Sequence, residues 1–155
     1  MYRNIFKLMS ALFVGLCLVT SCGGDDEKGG SGSSSGNSKV TLAINEAMLG
    51  ASEACVEING IDTSATATND ADKVQKAAEK IFKDKKVADK IEEAAKALGE
   101  DESKIKKKDL EDVKDLVTKY AVSGSNAGAE KTAACDLATK VVKKLSDLIG
   151  KLNKE

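Results

Sequence analysis

Cysteine is the residue type with the most distinctive chemistry in this chain. The sequence contains Cys17, Cys22, Cys55 and Cys135, and it contains no histidine. A thiolate can act as a nucleophile, a metal ligand, a disulfide partner or an acceptor for covalent lipid. Without histidine, the usual general base and the commonest metal ligand are missing. No two cysteines have the C-x-x-C spacing of a redox or zinc motif, so the sequence predicts structural or anchoring roles for them.

The other reactive side chains form no recognisable catalytic set. The adjacent acids Glu92-Glu93 and Glu111-Asp112 point about 100° apart on a helix, so they do not converge on one site. No histidine can activate serine or threonine, and no Ser–Lys spacing indicates a nucleophile. Glycine-rich stretches occur only before residue 39 and at 123–128, and neither follows a strand as a phosphate loop does. We therefore predict a protein without enzymatic activity, cofactor or metal ion.

Lysine supplies nearly all of the positive charge, because Arg3 is the only arginine. Six lysines in two clusters form a candidate basic patch for an anionic polymer such as a glycosaminoglycan: Lys85, Lys86, Lys104, Lys106, Lys107 and Lys108. Acidic residues closely flank the second cluster, which favours a solvated helix face with charge pairs instead. The formal net charge of −1 gives no reason to expect nucleic-acid binding.

Residues 1–21 have the organisation of a cleaved export signal. Arg3 and Lys7 precede an apolar run from Leu8 to Val19. This run is too short for a permanent transmembrane helix, and its position and basic flank are typical of a signal peptide.

The end of this signal, Val19-Thr20-Ser21-Cys22, resembles the lipobox of bacterial lipoproteins. The resemblance implies cleavage between Ser21 and Cys22 and a diacylglycerol on the Cys22 sulfur. It also implies a fatty acid such as palmitate on the new amino group, so that several acyl chains hold the protein on a membrane. The alternative is a general secretory signal that happens to contain a cysteine.

A polar spacer follows the cysteine. The stretch 23–38 reads GGDDEKGGSGSSSGNS, and this composition cannot bury apolar surface. We predict that residues 22–38 comprise the lipidated cysteine and a flexible tether, with a typical span of about 20–24 Å. The acidic cluster at 25–27 resembles the surface-export signals of some lipoproteins, or it is simply part of a solvated spacer.

Residues 39–155 carry the hydrophobic period of helices and no long alternating strand pattern. The pattern predicts an all-α domain, a small antiparallel bundle of four helices with short loops. The first helix runs from about Val40 to Ile58, and Asn59-Gly60 supplies a left-handed C-terminal stop. The second runs from about Asp70 to Gly99.

We interpret this second region as one long helix, with a bend or break left open at Lys83–Lys86. The third helix runs from about Lys104 to Val122 and stops at Ser123-Gly124. The fourth has the clearest seam, in which apolar residues recur at spacings of three and four: Cys135, Ala138, Val142, Leu145, Ile149 and Leu152. Such a seam suits a bundle core or a dimer equally well.

The predicted topology brings Cys55 and Cys135 together. Cys55 lies near the C-terminal end of the first helix, Cys135 lies near the N-terminal end of the fourth, and these ends are neighbours in an antiparallel bundle. Because export places both in an oxidising compartment, we predict a disulfide between them, with two buried free thiols as the alternative. The bond closes a loop of about 80 residues, worth on the order of 4 kcal/mol.

The layout as a whole, with signal, Cys22, Gly/Ser/Asn tether and lysine-rich helices, resembles the helical outer-surface lipoproteins of Borrelia spirochaetes. Ser21-Cys22 followed by acidic residues also resembles surface lipoproteins of Bacteroidetes. Either resemblance implies a protein anchored in the outer membrane at the cell surface, binding a host or vector protein or a glycosaminoglycan. A periplasm-facing structural or accessory lipoprotein is the alternative.

Overall fold

The computed structural model describes residues 34–64, 70–98, 104–120 and 124–154. These ranges contain helices and no strand, as the all-α prediction requires. The helices are α1 (Ser34–Asn59), α2 (Ala71–Asp84), α3 (Val87–Ala97), α4 (Lys107–Thr118) and α5 (Ala127–Leu152). In the described part of the chain, no helix is both long and apolar enough to cross a membrane. The predicted signal peptide, Cys22, Gly99 and Ser123 lie outside the described residues.

Helix α1 lies at the centre of the packing and contacts α2, α3 and α5. Cys55 of α1 is bonded to Cys135 of α5, and the carbonyl of Ile61 accepts from Lys131. Residue numbers therefore fall along α5 as they rise along α1, so the two longest helices run in opposite directions. The inner side of α1 is buried as the first predicted helix required, with Val40, Ile44, Ala47, Ala51 and Ile58 at most 1% exposed.

The second predicted region is two helices and not one, because the chain breaks into α2 and α3 at Lys85 and Lys86, where the sequence left a break open. Lys86 has a left-handed backbone, with φ 54°, and it lies on the surface. The turn sits on α1, where a Cβ at Gly50 would lie 2.8 Å from the Lys85 carbonyl oxygen. The break lets Phe82 before it and Val87 after it both reach the core, which one straight helix over α1 does not allow.

Helix boundaries differ from the prediction at three other places. Helix α1 begins at Ser34, inside the predicted tether, because a helix once nucleated extends at little cost into polar sequence. It ends at Asn59 as expected, but Gly60 is not left-handed; its N–H donates to the Glu57 carbonyl instead. Helix α4 spans only Lys107–Thr118, shorter than predicted at both ends.

The seam of α5 lies in the core of the bundle, but it is rotated from the predicted one. Ala138, Leu145 and Leu152 are buried as predicted, whereas Cys135, Val142 and Ile149 are partly buried at its edge. The fully buried stripe continues instead through Ala127, Ala134, Val141 and Leu148. The stripe is wide because α5 packs against α1, α2 and α4 together. The seam therefore builds the intramolecular core.

Gly50→Ala tests the close approach of the α2–α3 turn to α1. The added methyl group meets a backbone carbonyl that cannot rotate away, so we expect the variant to lose about 1–2 kcal/mol of unfolding free energy despite alanine's better helix propensity. Gly150→Ala is the matched control, because its Cβ would meet nothing within 4 Å. The control should gain about 0.5–1 kcal/mol in urea unfolding, and equal gains for both variants would contradict the packing.

Candidate functional site

The Cys55–Cys135 disulfide predicted from the sequence is present in the structure. Both residues are partly buried, and their Cα atoms lie 4.8 Å apart. Cys55 occupies the last turn and a half of α1, while Cys135 lies in the third turn of α5. One turn earlier on α5, the Lys131 ammonium donates to the Ile61 carbonyl at 2.7 Å. A covalent and a polar link therefore join the same two helix ends.

A buried carboxylate lies at the start of α5 and was not foreseen from the sequence. Glu130 is fully buried, and its Oε2 accepts from the Gly124 N–H at 2.7 Å. Its Oε1 accepts from the Tyr120 hydroxyl. The positive end of the α5 dipole also favours a negative charge there, and Asn126 caps the same helix by accepting from Ala129 N–H at 2.9 Å. Glu130 thus joins the end of α4 to the beginning of α5.

The two partners of Glu130 are specialised for this contact. Burial is the main cause that raises the pKa of Tyr120 well above its usual value, and the hydrogen bond to Glu130 is the second cause. The ring of Tyr120 also meets Phe82 edge-on, with centroids 6.4 Å apart. A Cβ at Gly124 would lie 2.3 Å from the Glu130 backbone nitrogen, so only glycine fits this position. The sequence showed Gly124 only as a helix stop, since its spacing from Glu130 matches no familiar motif.

The structure divides the predicted basic patch between the two ends of the α3–α4 pair. Lys86 lines a groove with Val117 and Thr118 near the end of α4, whereas Lys107 lines a groove with Ala95 and Lys96 near the end of α3. The two clusters therefore do not form one surface.

Several of these lysines also have specific partners. Lys85 forms salt bridges with Glu57 at 2.6 Å and with Glu53 at 3.3 Å, and the hydrogen bonds to these carboxylates raise its pKa. The Lys104 ammonium donates to the Lys154 carbonyl. The backbone N–H of Lys106 donates to Asp109 at 3.0 Å. Lys85 thus lies in a charge-paired setting, as the alternative interpretation of the lysines proposed.

A groove of about 330 Å³ lies between α2, α3 and α4. The Phe82 side chain is part of its wall, and charges of both signs, Glu79, Lys83, Lys86 and Asp89, surround it. Thr118 supplies a hydroxyl, but this group donates to the Lys114 carbonyl one turn back at 3.2 Å.

The groove between α3 and α4, about 190 Å³, is lined by a charge pair that joins the two helices. Glu92 accepts from Lys114 at 2.6 Å and from Lys96 at 2.7 Å. The hydrogen bond from Lys114 has the largest effect on the pKa of Glu92 and that from Lys96 the second largest. Together they lower this pKa to about 2. Glu93 points to Lys90 instead, at 2.8 Å, so the adjacent acids diverge as expected. Across the described residues, no group of three or more His, Cys, Asp or Glu side chains is placed to hold a metal.

The sequence interpretation also missed an exposed apolar row on α1. Leu42, Leu49 and Val56 are 60%, 52% and 68% exposed. Their spacing of seven residues was visible in the sequence, on the opposite side of the helix from the core stripe. A second apolar row on an otherwise amphipathic helix is a signal of a contact surface that the sequence alone contains.

Glu130→Gln tests the buried carboxylate. The amide keeps one acceptor but places an N–H₂ group against a donor, so we expect a loss of about 2–3 kcal/mol of unfolding free energy. Tyr120→Phe should cost about 1–3 kcal/mol, and the double variant should cost less than the sum, because the two side chains share one interaction. The exposed Glu111→Gln is the control and should stay within about 0.5 kcal/mol of wild type. Strict additivity in a urea-unfolding cycle would argue against the contact.

No protein-family model, curated protein or solved structure matches this chain. Any function assigned to it must therefore rest on its own residues.

Proposed function

We propose that this chain is a bacterial surface lipoprotein that acts as a non-enzymatic interaction module. In this proposal, residues 1–21 are a signal peptide, Cys22 carries the lipid, and an antiparallel helical bundle is held at the cell surface by a short tether. The observation that carries it is the segment Val19-Thr20-Ser21-Cys22 at the end of a basic and then apolar N-terminus.

The disulfide supports export. Disulfides persist in oxidising compartments and are rare in the reducing cytosol. Cys22 is assigned to lipid in this proposal, which leaves Cys55 and Cys135 as the cysteines of the exported domain, and these two are bonded to each other. The bond also suits a domain in which alanine supplies ten of the 24 buried apolar residues described, because each alanine buries little area.

The groove beside Phe82 supports recognition of a partner rather than turnover. Glu79, Lys83, Lys86 and Asp89 surround the Phe82 wall with charges of both signs, and an apolar centre with a polar rim is compatible with contact to another protein. We propose a host or vector protein as the partner. A glycosaminoglycan is a weaker candidate, because the two lysine clusters lie at opposite ends of α3 and α4.

Cys22→Ser tests the anchor. Cells expressing the wild-type chain should incorporate radiolabelled palmitate into it and retain it in the membrane fraction, because the Cys22 sulfur is the lipid acceptor. The Cys22→Ser chain should lose the label and accumulate with its signal uncleaved. Cys17→Ser is the matched control, since Cys17 lies within the predicted signal; it should behave as wild type. Label retained by the Cys22→Ser chain would refute the anchor.

Protease treatment of intact cells separates the surface assignment from the periplasm-facing alternative. A chain displayed outside should disappear when protease is added to whole cells. Survival on intact cells, with digestion only after the outer membrane is opened, would favour the periplasmic alternative. A periplasmic marker protein must survive in the intact sample for the comparison to count.

A further inference from the structure

The end of α1 carries the only Asn-Gly pair in the sequence, Asn59-Gly60. Asparagine is a thermolabile residue type, because the backbone nitrogen of the next residue can attack its side-chain carbonyl carbon. A glycine in the next position leaves this nitrogen unhindered, since glycine has no Cβ. Both residues are exposed, so water can reach the product of such an attack.

The reaction open to this pair has two steps. In the first, the Gly60 nitrogen bonds to Asn59 Cγ, the bond between Cγ and Nδ2 breaks, and ammonia leaves with the proton that the Gly60 nitrogen gives up. The product is a five-membered succinimide ring. In the second step, water opens the ring at one of its two carbonyl groups. Opening at the side-chain carbonyl yields aspartate, and opening at the main-chain carbonyl yields isoaspartate.

The folded end of α1 holds the attacking nitrogen in place. The Gly60 N–H donates to the Val56 carbonyl at 3.2 Å and to the Glu57 carbonyl at 3.0 Å, so its proton is engaged. Asn59 is the last residue of the helix. A helical backbone directs the side chain towards the preceding turn, and ring closure requires it to turn towards the following nitrogen.

The disulfide holds the side chain that would be attacked. Asn59 Nδ2 donates to Cys55 Sγ at 3.6 Å, and this sulfur is bonded to Cys135 of α5. The contact keeps the amide one turn back along α1, away from the following nitrogen. Beyond the pair, the Ile61 carbonyl accepts from Lys131 of α5 at 2.7 Å. Helix α5 therefore fixes the chain on both sides of the labile pair.

We propose that Asn59 is a site of isoaspartate formation that the Cys55–Cys135 disulfide keeps closed. While the two cysteines are still thiols, the last turn of α1 has no covalent link to α5 and opens more often. Opening releases the Gly60 nitrogen from its carbonyl acceptors and frees the Asn59 side chain to cyclise. The oxidised chain is protected, so the modification marks molecules that have remained without their disulfide.

Isoaspartate changes the end of α1 permanently. It routes the main chain through the former side chain and so adds one carbon before Gly60, which moves the Gly60 N–H out of register with the Val56 and Glu57 carbonyls. It also replaces a neutral amide with a carboxylate at the C-terminal end of a helix, where the helix dipole disfavours negative charge. The modified end of α1 therefore packs less well, even after the disulfide has formed.

Incubation of the whole purified chain at one pH and temperature tests the site, with isoaspartate at Asn59 measured by peptide mapping and mass spectrometry. The oxidised chain should react at least about tenfold more slowly than the same chain unfolded in urea, because cyclisation waits for the helix end to open. After reduction of the disulfide with a thiol reagent, the rate should rise towards the unfolded value. An oxidised chain that reacts as fast as the unfolded one, or a reduced chain that stays as slow as the oxidised one, overturns the proposal.

Gly60→Ala is the matched variant for the attack itself. It keeps Asn59 but places a methyl group beside the attacking nitrogen, so the reduced variant should lose most of the isoaspartate formed by reduced wild type. The variant should fold, because Gly60 has no positive φ and the nearest atom to its Cβ would be the Glu57 carbonyl oxygen at 3.3 Å. Isoaspartate at the wild-type rate would rule out attack by the Gly60 nitrogen.

Lys131→Met separates local opening from unfolding of the whole bundle. It removes the hydrogen bond to Ile61 and leaves the disulfide intact, so isoaspartate should form faster than in oxidised wild type while the helical circular dichroism stays the same. An unchanged rate in this variant would contradict control of the site by the contacts between α1 and α5. The Cys22→Ser chain should give the same rates as wild type, which separates this inference from the lipid anchor.

Thermal unfolding tests the consequence for α1. The isoaspartyl chain can be separated from the unmodified chain by its extra negative charge, and both can then be re-oxidised. The isoaspartyl chain should unfold at the lower temperature. Equal unfolding temperatures would show that the modification leaves the end of α1 intact, against the proposal.

Discussion

Small residues on the inner side of α1 let the neighbouring elements approach its backbone. Ala43, Ala47, Gly50, Ala51 and Ala54 are all buried, and α1 contacts three of the four other helices. An alanine buries little apolar area, so this core gains less from transfer out of water than a leucine-rich one. Its stability depends on close contact between backbones, in which many weak dispersion contacts add up. The turn between α2 and α3, the position of α5 and the disulfide all follow from this proximity.

The strongest cross-links of the bundle are concentrated at one end of α5. The disulfide at Cys135, the Lys131–Ile61 hydrogen bond and the buried Glu130 lie within six consecutive residues. Together they tie the start of α5 to the end of α1 and to the end of α4. A core that buries little apolar area tolerates little local opening. The disulfide and these hydrogen bonds oppose such opening where the end of α1, the end of α4 and the start of α5 meet. A buried carboxylate is costly to place, and here its hydrogen bonds and the helix dipole offset that cost.

The sequence by itself determined the helical class, the core stripe of α1 and the pairing of Cys55 with Cys135. These follow from local periodicity and from the few ways in which antiparallel helices can be joined. Only the tertiary structure decided the break at Lys86, because the hydrophobic periodicity of the sequence continues through this residue. The turn packs closely against Gly50 of α1, and the local sequence does not show this contact. The same is true of Glu130, because its contacts with Tyr120 and Gly124 follow no spacing rule that the sequence could show. The separation of the two lysine clusters was also beyond local pattern, since it depends on the opposite directions of α3 and α4.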